Sequence, residues 1–189
     1  MTDIHSLTER VRAFAHMAIS GDHNVRNHLS ISGPTRDVEA FVKHARMERN
    51  GVEELMLGNE HVPVTFEERR YRERSGAWMT MESGQEPKSR TLHEEESEAV
   101  FSFATSRSLE GELVPVSEEH PQLEFRYAWF EHRGDREDIA RGGLWKGGRR
   151  VAEHIGQLKE TPPDSEQLAD LVRHVEALEE PATAVAPAS

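Results

Sequence analysis

The sequence predicts an α+β protein with one sheet, two helices on one face of it, and a helical arm at each end. Three observations predict this. A strand–helix unit over residues 25–50 starts with Leu29 and Ile31 alternating with Ser30 and Ser32, breaks at Gly33-Pro34 and opens a helix at Thr35. A second unit over 99–131 reads as strand, helical crossover and strand. A charged insertion, 51–98, separates the two. Two such units can join in one sheet with both helices on the same side.

Each element has a local reason. Ser6 and Glu9 stand at capping-box spacing, where each side chain can bond an orphan backbone N–H. Leu7, Val11, Phe14, Ala15 and Ala18 then recur at helical spacing, and Gly21 stops the arm. The strand 25–32 leads into a helix over about 36–49, with Val38, Phe41, Val42 and Ala45 on one face. Asp37 and Glu39 lie near its start and Arg46 and Arg49 near its end, as the helix dipole favours. Within the insertion, Val62-Pro63-Val64 reads as a loop or short edge strand. Residues 67–74 read as a charged helical turn or two, 77–81 as a strand and 83–90 as a loop.

The second unit follows as a strand 100–105, a short helix 109–120 and a strand 123–130. Residues 139–145 and 149–155 flank Gly147-Gly148, a pair suited to the positive φ of a tight hairpin turn. Asp164 or Ser165 can cap a last helix, in which Leu168, Leu171, Val172, Val175 and Leu178 form a narrow apolar stripe ended by Pro181. The chain thus divides into an N-terminal arm, 1–21, and a domain, 22–156, that carries the insertion. An acidic C-terminal helix, 157–180, and a disordered tail, 181–189, follow.

At 189 residues the chain is long enough to bury a core without a staple. It has no cysteine, which excludes disulfides, thiolate metal sites and cysteine nucleophiles. No apolar run approaches the ~20 residues of a membrane helix. The first residues lack the basic and apolar stretches of a signal peptide. These readings lead us to expect a soluble protein of a bacterial cytoplasm. The formal net charge of −12 is uneven: residues 51–100 carry 12 acidic and 6 basic side chains, and residues 151–189 carry 8 and 2. The acidity therefore sits in the insertion and the C-terminal arm. Such a field repels nucleic-acid backbones and attracts basic partners.

The run Asn27-His-Leu-Ser-Ile-Ser-Gly-Pro34 before a helix resembles the opening of the Api92/YubB-type proteins of phages, plasmids and other mobile elements. Four further segments follow in that family's order. They are Val62-Pro63, Gly76-Ala-Trp78, Phe101-Ser-Phe-Ala-Thr105, and His120-Pro-Gln-Leu-Glu-Phe125 leading to Phe130-Glu131. The chain departs from the family at Asn24-Val25, where a Trp-Cys pair is usual, and at Ser106 to Glu110, where a Trp and a Pro pair are usual. The resemblance implies a ferredoxin-like antiparallel sheet and a mobile-element origin. It carries over no functional residues.

Catalytic motifs are not apparent. The 11 histidines are not at metal-ligand spacing: His16, His23 and His28 lie seven and five apart, and His93-Glu94 has no following His three residues on. Glu131-His132 with Asp135 and Asp138 is the nearest to a carboxylate–imidazole site. No serine sits in Gly-x-Ser-x-Gly, and no phosphate-cradling loop precedes a Lys-Ser/Thr pair. We therefore expect no enzyme activity, no cofactor and no bound metal.

Two patterns suggest partners. Glu94, Glu95, Glu96 and Glu98, with Glu176, Glu179 and Glu180 on the C-terminal helix, can imitate a run of phosphates. They point to an acidic inhibitor of a host defence or nucleic-acid-handling complex with a basic surface, such as a CRISPR effector. Alternatively, Arg133, Arg136, Arg141, Lys146, Arg149 and Arg150 around Trp145 can grip phosphates while the indole stacks on a base of RNA or single-stranded DNA. Arg69, Arg70, Arg72 and Arg74, interleaved with Glu67, Glu68 and Glu73, read as a solvated helix face. The Leu168 to Leu178 stripe packs on its own domain or seals a homodimer. A metal-dependent hydrolase is the remaining reading.

Overall fold

The structure is a computed structural model that describes residues 24–49, 52–64, 66–72, 78–81, 96–133, 137–156 and 165–179. The expected N-terminal helix, the 83–90 loop and the 181–189 tail lie outside the described residues. In chain order the elements are β1 (Val25–Pro34), α1 (Thr35–Ala45), β2 (Arg46–Arg49), β3 (Val52–Leu57), β4 (Glu60–Pro63), β5 (Phe66–Arg72), β6 (Trp78–Met81) and β7 (Glu96–Thr105). They continue as α2 (Glu110–Glu119), β8 (Glu124–Glu131), β9 (Ile139–Lys146), β10 (Arg149–Ile155) and α3 (Ser165–Glu176). The class is α+β. Seven strands form an antiparallel sheet in the order β10-β9-β8-β1-β7-β5-β6, and β2-β3-β4 form a small antiparallel sheet.

β1 lies at the centre, paired over ten residues with β7 and over eight with β8. Its side chains alternate between the faces of the sheet. Val25, Leu29 and Ile31 join Phe101, Phe103, Phe125 and Trp145 in the main core. α1 closes that first face with Val38, Phe41, Val42 and Ala45, and α2 with Leu113 and Val116. Both crossover helices therefore share a face, as the sequence predicts.

The core contains one polar knot. The Tyr127 hydroxyl donates to Asn27 Oδ1 at 2.5 Å and accepts from the Leu109 N–H at 2.9 Å. Asn27 Nδ2 donates to Thr105 Oγ1 at 2.8 Å. This joins β1, β7 and β8 to the residue preceding α2. Burial pushes the Tyr127 hydroxyl pKa well above its ordinary value.

Two expectations change. Residues 67–74 were expected as helix, yet 66–72 are strand β5. Local Glu/Arg spacing suited a helix, but cross-strand pairing to β7 sets Arg70 opposite Glu98 and Arg72 opposite Glu96. The first helix ends at Ala45 rather than near Arg49, because Arg46–Arg49 turn out as β2 against β3. The insertion supplies β5 and β6 to the main sheet, and Leu55, Leu57 and Val62 to the main core.

The C-terminal helix packs on the second face of the same sheet. Leu168, Leu171, Val172 and Val175 of α3 meet Ala128, Phe130 and Ala140. The stripe is thus buried within the chain. The Gly147-Gly148 turn joins β9 to β10 with φ of 55° and 78°, as expected for the hairpin.

α3 approaches β9 so closely that a Cβ on Gly142 would lie 2.2 Å from Val175 Cγ2 and 2.8 Å from the Tyr127 carbonyl. Gly142→Ala is therefore expected to lower stability by about 1–3 kcal/mol, the usual cost of overpacking. Gly111→Ala, where a Cβ would meet nothing within 4 Å, is expected to raise stability by up to about 1 kcal/mol. Urea unfolding of the two variants beside the parent tests both signs.

Candidate functional site

α3 covers only part of the second face. Beside its C-terminal end lies a groove of about 750 Å³ floored by β8, β1 and β7. Five cations line it, Arg70, Arg72, Arg126, Lys146 and Arg173, against four carboxylates, Glu96, Glu98, Glu124 and Glu176. In a chain of net charge −12 this lining has more positive than negative groups.

Strand register builds the groove. Glu124 of β8 lies opposite Ser32 of β1, Ser32 opposite Glu98 of β7, and Glu98 opposite Arg70 of β5. Lys146 of β9 bonds Glu124 at 3.1 Å. One polar row thus crosses five strands in the order Lys146, Glu124, Ser32, Glu98, Arg70. At about 4.8 Å per strand it is about 19 Å long.

The row is braced from its neighbours. Ser30 Oγ donates to Glu98 at 2.5 Å, and Arg70 meets Glu98 at 2.9 Å. Arg126 donates to Ser32 Oγ and to Glu124, both at 2.9 Å, and to the Leu178 carbonyl at 3.2 Å just past α3. His28, fully buried on β1, meets Glu176 of α3 at 3.2 Å. Arg72 and Glu96 pair at 3.1 Å near the rim, and Arg173 pairs with Asp170. Burial alone would raise the Glu124 pKa. The charges of Arg126 and Lys146 outweigh burial and hold it below the ordinary carboxylate range.

The expected acidic residues divide. Glu98 is shielded in an ion pair with Arg70 and Glu176 by its contact with His28, while Glu96 is 57% exposed at the rim. Glu179 is exposed just beyond α3. Glu94, Glu95 and Glu180 lie outside the described residues.

The Arg/Trp hairpin does not form one surface. Trp145 is 2% exposed in the core, edge-on to Tyr127 at 6.1 Å, so its face is not offered to a base. The reason is strand alternation: Trp145 points to the first face and Lys146 to the second. Arg150 lies 5.9 Å over the Trp145 ring and pairs with Glu153 and Glu110. Arg133 pairs with Glu131 at 3.2 Å, Arg141 and Arg149 are exposed, and Arg136 is outside the described residues.

Of the carboxylate–imidazole candidates after β8, Asp135 lies outside the described residues. His132 meets buried Asp138 at 3.1 Å, and Asp138 also accepts the Arg133 N–H at 2.9 Å. Among the described residues no group of three or more such side chains could hold a metal ion. No described helix is long and apolar enough to cross a membrane.

Sequence reasoning missed Arg70, Arg72, Glu124, Arg126 and Arg173 as groove residues. The available signal was the alternation of Arg70 and Arg72 with Arg69 and Tyr71, which matches the Glu96 and Glu98 alternation on β7.

Two expectations follow. Glu98→Ala leaves Arg70, whose side chain is 4% exposed, without its carboxylate and is expected to cost about 3–5 kcal/mol. Glu96→Ala removes an exposed pair and is expected to cost about 0–1 kcal/mol. Chemical denaturation reads the difference.

The second expectation concerns pH. His154 of β10 stacks on His174 of α3 at 4.6 Å, and burial, then the His174 charge, lowers the His154 pKa. Folded His154 therefore binds fewer protons than unfolded His154. Its share of stability is intact above the unfolded value of about 6.5 and falls as pH drops through and below that value. His154→Gln is expected to flatten the decline in unfolding free energy between about pH 6.5 and 5.

Compared with family models, curated proteins and solved structures, the chain matches none.

Proposed function

We propose that the chain is a non-catalytic binding protein that acts by protein–protein contact, with the groove as its recognition surface. The observation that supports this most is the cross-strand row Lys146, Glu124, Ser32, Glu98, Arg70, open beside the end of α3. Its groups hold charge in place. Acid–base catalysis favours a pKa near the working pH, whereas Glu124 is driven away from neutrality.

On this reading the centre of the sheet is ferredoxin-like. The order β8-β1-β7-β5, with α1 and α2 as crossovers on one face, supports it. The module serves a mobile element by engaging a host protein or protein–nucleic-acid complex, and the resemblance of the 27–34 run supports that origin. An acidic surface toward a basic partner rests, among the described residues, on Glu96 and Glu179. Burial of Trp145 disfavours the nucleic-acid reading.

Affinity capture of tagged protein from bacterial lysate, with and without nuclease, tests the proposal. The expected result is a stoichiometric protein partner that survives nuclease. Capture that vanishes with nuclease would replace this function with nucleic-acid binding.

A further inference from the structure

We propose that the chain's own N-terminal segment, through Leu7, Val11, Phe14, Ala15 and Ala18, covers the second face of the sheet over β1 and β7.

The floor on that part of the sheet is buried, and its own side chains do not account for the burial. His28 and Ser30 of β1 and Val100 and Ser102 of β7 point to the second face, and all four are fully buried. They form two cross-strand pairs, His28 with Ser102 and Ser30 with Val100. Serine and valine side chains are too short to shield one another from water across a strand spacing of about 4.8 Å. Val100 joins neither of the two apolar cores that the described residues form.

Among the described residues, the helix on this face is α3, which packs on β8, β9 and β10. A helix is about 10–12 Å across, the width of about two strands, so one centred on β8 and β9 does not also roof β7. Glu176 of α3 reaches His28, and Glu98 takes the Ser30 hydroxyl. Val100 and Ser102 are left to another cover.

Chain order puts the N-terminal segment there. Gly21 ends the apolar stripe three residues before Asn24, and β1 starts at Val25. So short a connection makes the preceding element a neighbour of β1. Both edges of β1 are paired, and α1 and α2 fill its first face. The second face remains. At about 1.5 Å per residue the stripe is about 17 Å long as a helix, and Arg26 to Ser32 of β1 rise about 20 Å. The other stretches outside the described residues have no such stripe. Residues 82–95 hold one large apolar side chain, Leu92, residues 157–164 hold Leu158, and residues 180–189 hold Val185 among alanines.

The buried floor stops one step from the groove. Beyond Ser30 and Val100 come Ser32 and Glu98, a pair that is partly exposed and lines the groove. The N-terminal segment is thus one wall of the groove, across from α3.

The test uses the full chain. It has no cysteine, so an introduced thiol is unique. Ser102→Cys reports on the second face, and Val116→Cys, on α2 in the main core, reports on the fold. Both are expected to react slowly with a small disulfide reagent. Adding Val11→Asp with Phe14→Asp is expected to speed the reaction at position 102 by about tenfold or more and leave position 116 unchanged, because a local cover opens without the core. Fast reaction of Ser102→Cys in the otherwise unaltered chain, or a rate that the two aspartates do not change, would overturn the proposal. Should the aspartates expose both thiols, a photo-crosslinker in place of Phe14 in the unaltered chain decides. The expected product is an intrachain link to residues 25–34 or 96–105. A link to the first face, a link between two chains, or no link to these strands would equally overturn it.

Discussion

The central strand β1 is the constraint on which the rest depends. It is hydrogen-bonded along both edges and buried on both faces, so each of its residues must be satisfied where it lies. On the first face it supplies Val25, Leu29 and Ile31, which need only apolar neighbours. On the second it supplies His28 and Ser30, both fully buried, and Ser32. Burying such groups without partners costs free energy, so strands on both sides must bring polar groups to the same rows. β7 brings Glu98, β8 brings Glu124 and Arg126, and α3 brings Glu176. The groove is the visible end of this requirement.

Helix α3 determines how much of that face stays open. Its apolar stripe meets small residues on β8 and β9, Ala128, Ala140 and Gly142, which let it lie close. Beyond Glu176, Leu178 still packs beside this stripe while its carbonyl accepts from Arg126. The helix therefore covers the β8–β9 side and stops at the polar row. The ion pairs along that row are weak evidence of stability, because desolvation offsets much of the attraction between buried charges. Their firmer consequence is geometric: each charge is held at one position, and a ligand meets a prearranged pattern.

The two faces also explain why the insertion matters. Without β5 the row would end at Glu98, an acid half-buried at a sheet edge. β5 supplies Arg70 opposite it and carries Arg72 to the rim. A segment that reads from its composition as solvated charge is thus part of both the sheet and the groove. The small sheet β2-β3-β4 performs a different task, placing Leu55, Leu57 and Val62 over the first face beside α1 and α2.

The sequence by itself determined the periodic elements: β1 with its Leu29/Ile31 alternation, α1 with Val38, Phe41, Val42 and Ala45 inward, the Gly147-Gly148 hairpin, and the α3 stripe. Each depends on residues a few positions apart, whose spacing decides which face they share. The tertiary structure alone decided that 66–72 is a strand, because its Glu/Arg spacing serves a helix and a cross-strand ladder equally well until β7 is beside it. It alone decided that Trp145 is core, that Glu98 pairs with Arg70 and that Glu176 meets His28. It alone assembled the groove, whose five cations come from β5, β8, β9 and α3, more than 100 residues apart in the chain. Charge recognition of this kind depends on distance in space, and strand register sets those distances between segments remote in sequence.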